Sequence, residues 1–411
     1  MSRTAGGAPA ALATAGSGAG LPVAGPWLQV VLFLTSIFLL NFLSRLAMAP
    51  LLPVIEKDLA LGHAQAGSFF LFVSLGYCTS LLCSGFVASR LGHRRTIIIS
   101  GLAVGGAMLF MGSADSLLSL QLGLLALGLG GGLYLPSGIA SLTELVEPRL
   151  WGRALAIHEV APNLGFFAAP FLAEILLLWM PWRGALTTLG AVALVLAAAF
   201  WRWGQGGRER GRAPRLAALA GLVKNRAVLA LTVLLVLGLG GSLAVFTMLP
   251  LYLTEFHGLP RGLANFLVGL SRLSGVGMAF VAGWASDRFG PRAALTATLV
   301  LGGLFTFLLG LADGWWLRVV MFLQPAAVVC LFPPLFASLA ESVSPAERNL
   351  AVSLAAGLGI VVGAGLVPIG LGWLGDRGQF PLGFSIFGVL LWSGLAFLPW
   401  LGKKAPVGAH H

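Results

Sequence analysis

Two arginines stand inside apolar runs, and they define the chemistry that the rest of the chain must serve. Arg45 lies in Asn41-Phe-Leu-Ser-Arg45, and Arg272 in Leu270-Ser-Arg272-Leu-Ser-Gly275. A charge at the centre of a bilayer costs about 2.5–3.5 kcal/mol on insertion scales, so it is retained where it has a function. A guanidinium keeps its proton and holds a carboxylate or phosphate in a two-pronged fork. One arginine in each half of the chain, both at depth, predicts a cationic cavity for an anionic solute. Asn41 stands four residues before Arg45 and shares its helix face. Asn265 stands two turns before Arg272 on the same side. Tyr77, Tyr134 and Asn163 are expected as further solute contacts. The alternatives are structural ion pairs or, for Arg45, snorkelling to the outer surface.

Coupling to protons needs a group that can change charge. His158 and Glu159 are adjacent in Ala156-Ile-His158-Glu159-Val. An imidazole titrates near neutrality, and a carboxylate shifts up with burial or down beside an arginine. Helical neighbours point about 100° apart, so one of the two is expected to face the cavity. Glu159, on the face of Asn163, is the favoured one. The alternative places both in wetted positions near the end of the helix.

These residues need long apolar helices to hold them. Of 411 residues, 58% are hydrophobic and 9% charged, with a mean hydropathy of +0.93. Soluble domains carry roughly 25% charged residues. The runs are about 20 residues or longer, enough to cross a hydrocarbon core of roughly 30 Å. Spans are expected at 28–52, 64–88, 96–114, 117–142, 153–178, 183–201, 227–253, 262–286, 293–312, 315–340, 350–374 and 381–401. They must be helices, because lipid leaves no partner for free backbone groups.

The net charge of +11 is a topology signal. On the twelve-span reading, eighteen of the 25 Lys and Arg lie on the side of both termini and five on the other, with Arg45 and Arg272 inside spans. By the positive-inside rule both termini are cytoplasmic, in a multi-pass protein of the plasma (inner) membrane. Nucleic acid is not expected as a partner. Cys78, Cys83 and Cys330 all fall within spans at spacings that fit no metal or redox motif. No metal, cofactor or enzymatic constellation is expected. The glycines of Gly128-Leu-Gly130-Gly131-Gly132, and Gly357, Gly359, Gly363 and Gly365, lie inside spans and predict close helix packing. The domain reading is a tail over 1–26, six spans over 27–201, a basic linker over 202–226, six spans over 227–402 and a tail over 403–411. Contact of the linker with anionic lipid is one reading, and plain topology signal the other.

The two halves repeat. Gly85-Phe-Val-Ala-Ser-Arg-Leu-Gly92-His-Arg94 matches Gly283-Trp-Ala-Ser-Asp-Arg-Phe-Gly290-Pro-Arg292 at an offset of 198. Glu144-Leu-Val-Glu-Pro148 matches Glu341-Ser-Val-Ser-Pro345, and Pro53 matches Pro250, both at 197. A parallel six-span repeat places a solute site near mid-membrane between the halves. The loop pattern is complete at Gly283, Asp287, Gly290 and Arg292. In the first half Gly85, Gly92 and Arg94 match, and Ser89 replaces the acid.

This duplicated loop in a twelve-span chain resembles the major facilitator superfamily over roughly residues 27–402. The resemblance implies an all-α, six-plus-six membrane fold with pseudo-twofold symmetry and alternating access about a central cavity. It makes the loops a conformational latch, to which Glu144 with Arg153 and Glu341 with Arg348 are expected to contribute. The stretch from Asn41 to Arg45, followed by Pro53-Val-Ile-Glu-Lys-Asp58, is similar to the first span of the organic anion:cation symporters in that superfamily. There the matching arginine binds the anionic group of the solute. Ser44 stands where those proteins often carry an acid. Proton-coupled drug exporters usually carry an arginine in the fourth span, which is missing here. The expectation is a monomeric secondary transporter of a small organic anion, a carboxylate or phosphate, coupled to protons. The alternative is efflux of amphipathic drugs or metabolites, and a non-transporting sensor is a remoter one.

Overall fold

The computed structural model describes residues 26–207, 225–342 and 345–401, and the side chains of all of these but Pro26, Ala279 and 340–350. Most of the linker, both tails, and the expected pairing of Glu341 with Arg348 therefore lie outside the described residues. Among the described residues, twelve helices are long and apolar enough to cross a membrane. They are α1 (Trp27–Leu59), α2 (His63–Leu91), α3 (His93–Gly112), α4 (Leu117–Leu145), α5 (Pro148–Trp179) and α6 (Trp182–Trp203) in the first half. The second half holds α7 (Arg226–Phe256), α8 (Arg261–Phe289), α9 (Pro291–Leu309), α10 (Gly314–Leu339), α11 (Ala351–Gly375) and α12 (Phe380–Trp400). Trp179, Trp201, Trp203, Trp284, Trp315 and Trp316, near the helix ends, are 61–82% exposed, as in the aromatic belts of membrane interfaces.

The expected spans are all present, with one informative extension. The first was expected to end at 52, but α1 continues through Pro53 to Leu59. It stops where Ala60 turns left-handed at φ 51°, with its N–H bonded to the Glu56 carbonyl. Glu56 and Asp58 thus belong to a helix and not to a loop.

Glycine sets the helix spacing. A Cβ on Gly128 would strike the Val73 carbonyl, and one on Gly132 the Tyr77 carbonyl, so α4 lies backbone to backbone on α2. Gly363 has the same relation to the Val236 carbonyl between α11 and α7. Small residues permit such approaches in membranes. The two repeated loops share a conformation: Gly92 has φ 80° and ψ 159°, and Gly290 φ 86° and ψ 151°. That region is accessible essentially to glycine alone.

The bundle has a tail end, where Pro26 and Leu401 lie, and a far end. Its apolar interior is divided accordingly. At the far end one core crosses the halves: Met48, Leu51 and Leu52 of α1 join Phe246, Met248 and Leu251 of α7, and Ala169 of α5 joins Val268 of α8. Toward the tail end there are two cores. One gathers Val31, Leu34, Tyr134, Leu142 and Phe200 of the first half. The other gathers Leu231, Leu235, Leu295, Leu335 and Leu398 of the second. The halves are closed at the far end and part toward the tail end.

Candidate functional site

A cavity of about 290 Å³ lies where the shared core divides. Its walls come from both halves: Phe38, Phe42, Arg45, Phe70, Ser74, Tyr77 and Phe166 from one, and Ser242, Leu243, Thr247, Phe332 and Ile360 from the other. Most of the lining is aromatic or aliphatic. A few convergent polar groups in an apolar cavity are the usual form of a small-molecule site.

Arg45 is the charged residue of this wall. Its guanidinium carbon lies 4.3 Å from the centre of the Tyr77 ring and 4.8 Å from that of Phe42. Each such stack contributes about 0.5–2 kcal/mol, more where water is excluded. Nε is 3.5 Å from the Asn41 carbonyl. Among the described residues no carboxylate lies within ion-pair distance of Arg45. The planar cation is therefore held by its two ring contacts and through Nε, with no carboxylate among the described residues on its other donors.

Arg272 stands behind the wall. Its guanidinium carbon is 4.7 Å from the Phe166 ring and 4.6 Å from the Phe246 ring, and it too has no carboxylate partner among the described residues. Nη2 donates to the Ser242 carbonyl at 2.9 Å. That bond has a cause. Residues Gly240–Ala244 form a π-helical turn, as do Gly359–Leu366 of α11. A wide turn displaces carbonyls from the helical ladder, and a buried carbonyl without a donor is expensive. Arg272 satisfies Ser242, and Gln324 of α10 satisfies Gly241 at 2.9 Å while also donating to Thr306 at 3.1 Å. π turns inside α-helices recur at functional sites. Both of these reach the cavity, through Ser242 and Leu243, and through Ile360 and Ala364. Sequence reasoning did not single out Gln324, Ser242 or Thr247. The signal was Gly240-Gly241-Ser242, a run of small polar-tolerant residues mid-span.

Other expected contacts point elsewhere. Asn41 turns toward α4 and donates to the Gly131 carbonyl at 3.2 Å. Tyr134 is buried in the first-half core, where its hydroxyl donates to the Leu34 carbonyl at 2.6 Å and lies 3.1 Å from His158 Nε2. Asn265 is buried at the far end, bonded to the Pro50 carbonyl at 3.2 Å and to Glu174 Oε1 at 2.6 Å. Asn163 and Glu159 are exposed on the α5 face that continues to Phe166, one turn and two turns from it. Tyr77 alone of these lines the cavity.

His158 and Glu159 separate as adjacent helical residues should. His158 is fully buried and stacks on Phe38, a cavity residue, at 4.5 Å between ring centres. Glu159 is 58% exposed, and its Oε1 is 3.7 Å from His158 Nδ1, too long for a hydrogen bond. Among the described residues Nδ1 has no hydrogen-bond partner.

The repeated loops hold their own halves together. Arg94 donates to the Gly204 carbonyl at 3.0 Å and to that of Trp201 at 2.5 Å, at the end of α6. Arg292 donates to the Leu401 carbonyl at 2.9 Å, at the end of α12. Each arginine thus satisfies terminal carbonyls where a helix carries partial negative charge. Gly85 and Gly283 are half-buried in α2 and α8, while Arg153 and Asp287 are exposed. The Glu144 carboxylate abuts Gly207, where a Cβ would strike it. Among the described residues no cluster of three His, Cys, Asp or Glu side chains is placed to hold a metal.

A family model described as Major Facilitator Superfamily matches residues 34–284 and 257–410. The chain is 28% identical over 394 residues to the 4-hydroxybenzoate transporter PcaK of Pseudomonas putida, covering 84% of this chain and 87% of that one. It is 27% identical over 310 residues to the multidrug resistance protein MdtH of Shigella boydii, covering 72% and 73%. Among solved structures, a bacterial homologue of the human lysosomal transporter Spinster superposes with a TM-score of 0.79 at 17% identity, over 92% of this chain and 97% of that one.

Proposed function

Because this chain belongs to the major facilitator superfamily, a family of secondary transporters, we propose that its cargo is a small organic anion with an aromatic ring, carried by alternating access. The single observation behind the anion is Arg45: a buried guanidinium on the cavity wall, stacked between Tyr77 and Phe42, with no carboxylate partner among the described residues. A buried charge without a partner is costly, and an incoming carboxylate supplies one. The ring preference follows from Phe38, Phe42, Phe70, Tyr77, Phe166 and Phe332 around it. The name of the Pseudomonas putida relative agrees. Arg272 stands as the second cation, one ring behind the wall.

Proton coupling through His158 and Glu159 belongs to this reading. His158 touches the cavity through Phe38, and Glu159 offers it an exposed carboxylate. The latch reading of the repeated loops, a monomeric state and cytoplasmic termini in the plasma membrane complete it. The far end then faces outward, and the described state is open to the cytoplasm.

Efflux of amphipathic drugs is the second reading, favoured by the largely apolar lining and by the name of the Shigella boydii relative. A thermal-shift assay on the purified protein separates the two. The probes are 4-hydroxybenzoate, an aliphatic carboxylate, inorganic phosphate and ethidium, each at pH 6 and pH 8. A ligand at a hundred times its Kd stabilises the folded state by about 2.7 kcal/mol. The expected result is a rise in Tm with the aromatic carboxylate. A rise with ethidium and none with any anion overturns the proposal.

A further inference from the structure

Two carboxylates clamp the far end, and the repeat relates their targets. Glu174, late in α5, reaches across to α8, taking Arg261 Nε and Nη2 at 2.9 and 3.2 Å. Asp376, just past α11, reaches across to α2, where its two oxygens accept the backbone N–H groups of His63 at 2.6 Å and Ala64 at 3.1 Å. His63 and Arg261 hold equivalent positions, at the repeat's offset of 198. The first clamp ends in a guanidinium, which stays charged at any physiological pH. The second ends on backbone N–H groups, the first of them that of His63, whose imidazole can lose its charge near neutral pH.

That imidazole has a built environment. His63 Nδ1 is 2.9 Å from Glu56 Oε2, and its ring tilts against Phe380 of α12 at 5.1 Å between centres. Glu56 is only 7% exposed, and among the described residues its Oε1 has no hydrogen-bond partner. His63, at 21% exposed, is reachable by protons. The seam around them is tight. A Cβ on Gly67 would lie 2.6 Å from the Pro368 carbonyl, and one on Gly372 would strike that of His63.

Closure of this seam gathers charge of one sign. Asp376 and Glu255, both from the second half, act on Glu56 and on His63 of the first half. Among the described residues none of the three carboxylates has a Lys or Arg within ion-pair distance. With His63 neutral, closing the far end packs three negative charges together. With His63 protonated, one of them is offset at short range. We propose that the Glu56–His63 pair is a proton-binding site that controls the far gate: proton uptake there favours closure, and proton loss favours opening. The proposal goes beyond the transport reading and needs no solute.

The sign follows from linkage. If closure raises the proton affinity of the pair, lowering the pH must populate the closed state. A one-unit difference in affinity between the two states changes the open-to-closed ratio about tenfold across the titration. The test is pulsed electron resonance between spin labels at Asp115→Cys and Leu311→Cys, on far-end loops of opposite halves, with Cys78, Cys83 and Cys330 replaced by Ser. It is run in lipid nanodiscs from pH 5.5 to 8.5 without solute. The Glu174→Gln variant weakens the first clamp, between Glu174 and Arg261, and brings the open state into range. In that background the long-distance population is expected to grow about tenfold from pH 6 to pH 8. Adding His63→Gln, which keeps the backbone N–H for Asp376, or Glu56→Gln, is expected to abolish the slope. Distances that ignore pH in Glu174→Gln, or a slope that survives His63→Gln, overturn the proposal. Neither outcome depends on which solute is carried, so failure of the anion assignment is read separately in the thermal-shift assay.

Discussion

Replacing Arg45 by glutamine separates a solute-binding arginine from a structural one, because the two roles predict opposite signs for stability. A buried arginine charge costs about 2.5–3.5 kcal/mol on insertion scales. The stacks on Tyr77 and Phe42, at 4.3 and 4.8 Å, return part of that, about 0.5–2 kcal/mol each. No ion pair is lost, since among the described residues none is made. The balance for Arg45→Gln is therefore near zero or favourable, and its Tm without ligand is expected to equal or exceed that of the parent. Affinity should move the other way. A hydrogen bond to a charged group contributes about 1.5–3 kcal/mol, so 4-hydroxybenzoate is expected to bind roughly tenfold to a hundredfold more weakly. Arg45→Lys keeps the charge and loses the fork and the flat stack, so it should fall between. Unfolding followed without ligand and titration calorimetry with it supply the two numbers. A variant that unfolds about 2 kcal/mol earlier while its folded fraction binds as the parent does would make Arg45 structural and refute the reasoning.

Arg272→Gln retains a donor for the Ser242 carbonyl and is expected to fold normally while losing uptake in proteoliposomes; parental uptake would remove Arg272 from the site. Gln324→Leu leaves the Gly241 carbonyl of the π turn without its donor, which should destabilise by about 1–3 kcal/mol in thermal unfolding. Gly290→Ala places a side chain at φ 86° and ψ 151°, a conformation that costs about 1–3 kcal/mol outside glycine. Gly92→Ala should match it, and unequal losses of Tm would mean that the two loops are not structurally equivalent.

Twelve spans, two halves and the conformation shared by Gly92 and Gly290 were legible because they depend on length, hydropathy and a repeated glycine. The inward-facing residues were less so. Helical spacing fixes which residues share a face, not which neighbour that face meets. Asn41 and Arg45 share a face only loosely: four residues advance a helix by about 400°, so the shorter Asn41 side chain meets Gly131 of α4 while the longer arginine reaches the cavity. Asn265 is two turns from Arg272 on paper, yet those turns carry it out to the Glu174 clamp. Tyr134 turns into the first-half core, where its hydroxyl bonds the Leu34 carbonyl. The π turns were invisible to a 3.6-residue count, and each inserts a residue that rotates everything beyond it. The far-end clamps were hidden for another reason: each joins residues more than 85 positions apart, Glu174 to Arg261 and Asp376 to His63.

The repeat also relates the two intramembrane arginines, although they come from non-equivalent helices. At the offset of 197, the position equivalent to Arg45 of α1 is Ser242 of α7. Ser242 has no charge to offer, but its carbonyl is displaced by the π turn and holds Nη2 of Arg272 at 2.9 Å. A guanidinium from α8 is thereby bonded to the α7 residue that the repeat relates to Arg45. Both are faced by phenylalanine or tyrosine rings, and Phe166 of α5 is shared between the cavity wall and the Arg272 stack. The symmetry is one of placed charge and not of sequence. It also makes the two cations unequal: Arg45 bonds a carbonyl of its own helix, that of Asn41, whereas Arg272 is tied to a π turn of α7 whose relaxation to an ordinary helix would withdraw the carbonyl that holds it. On the proposed anion reading, a rocking motion that straightens α7 is expected to release Arg272 while leaving Arg45 in place, which makes the first half the expected holding point for the solute.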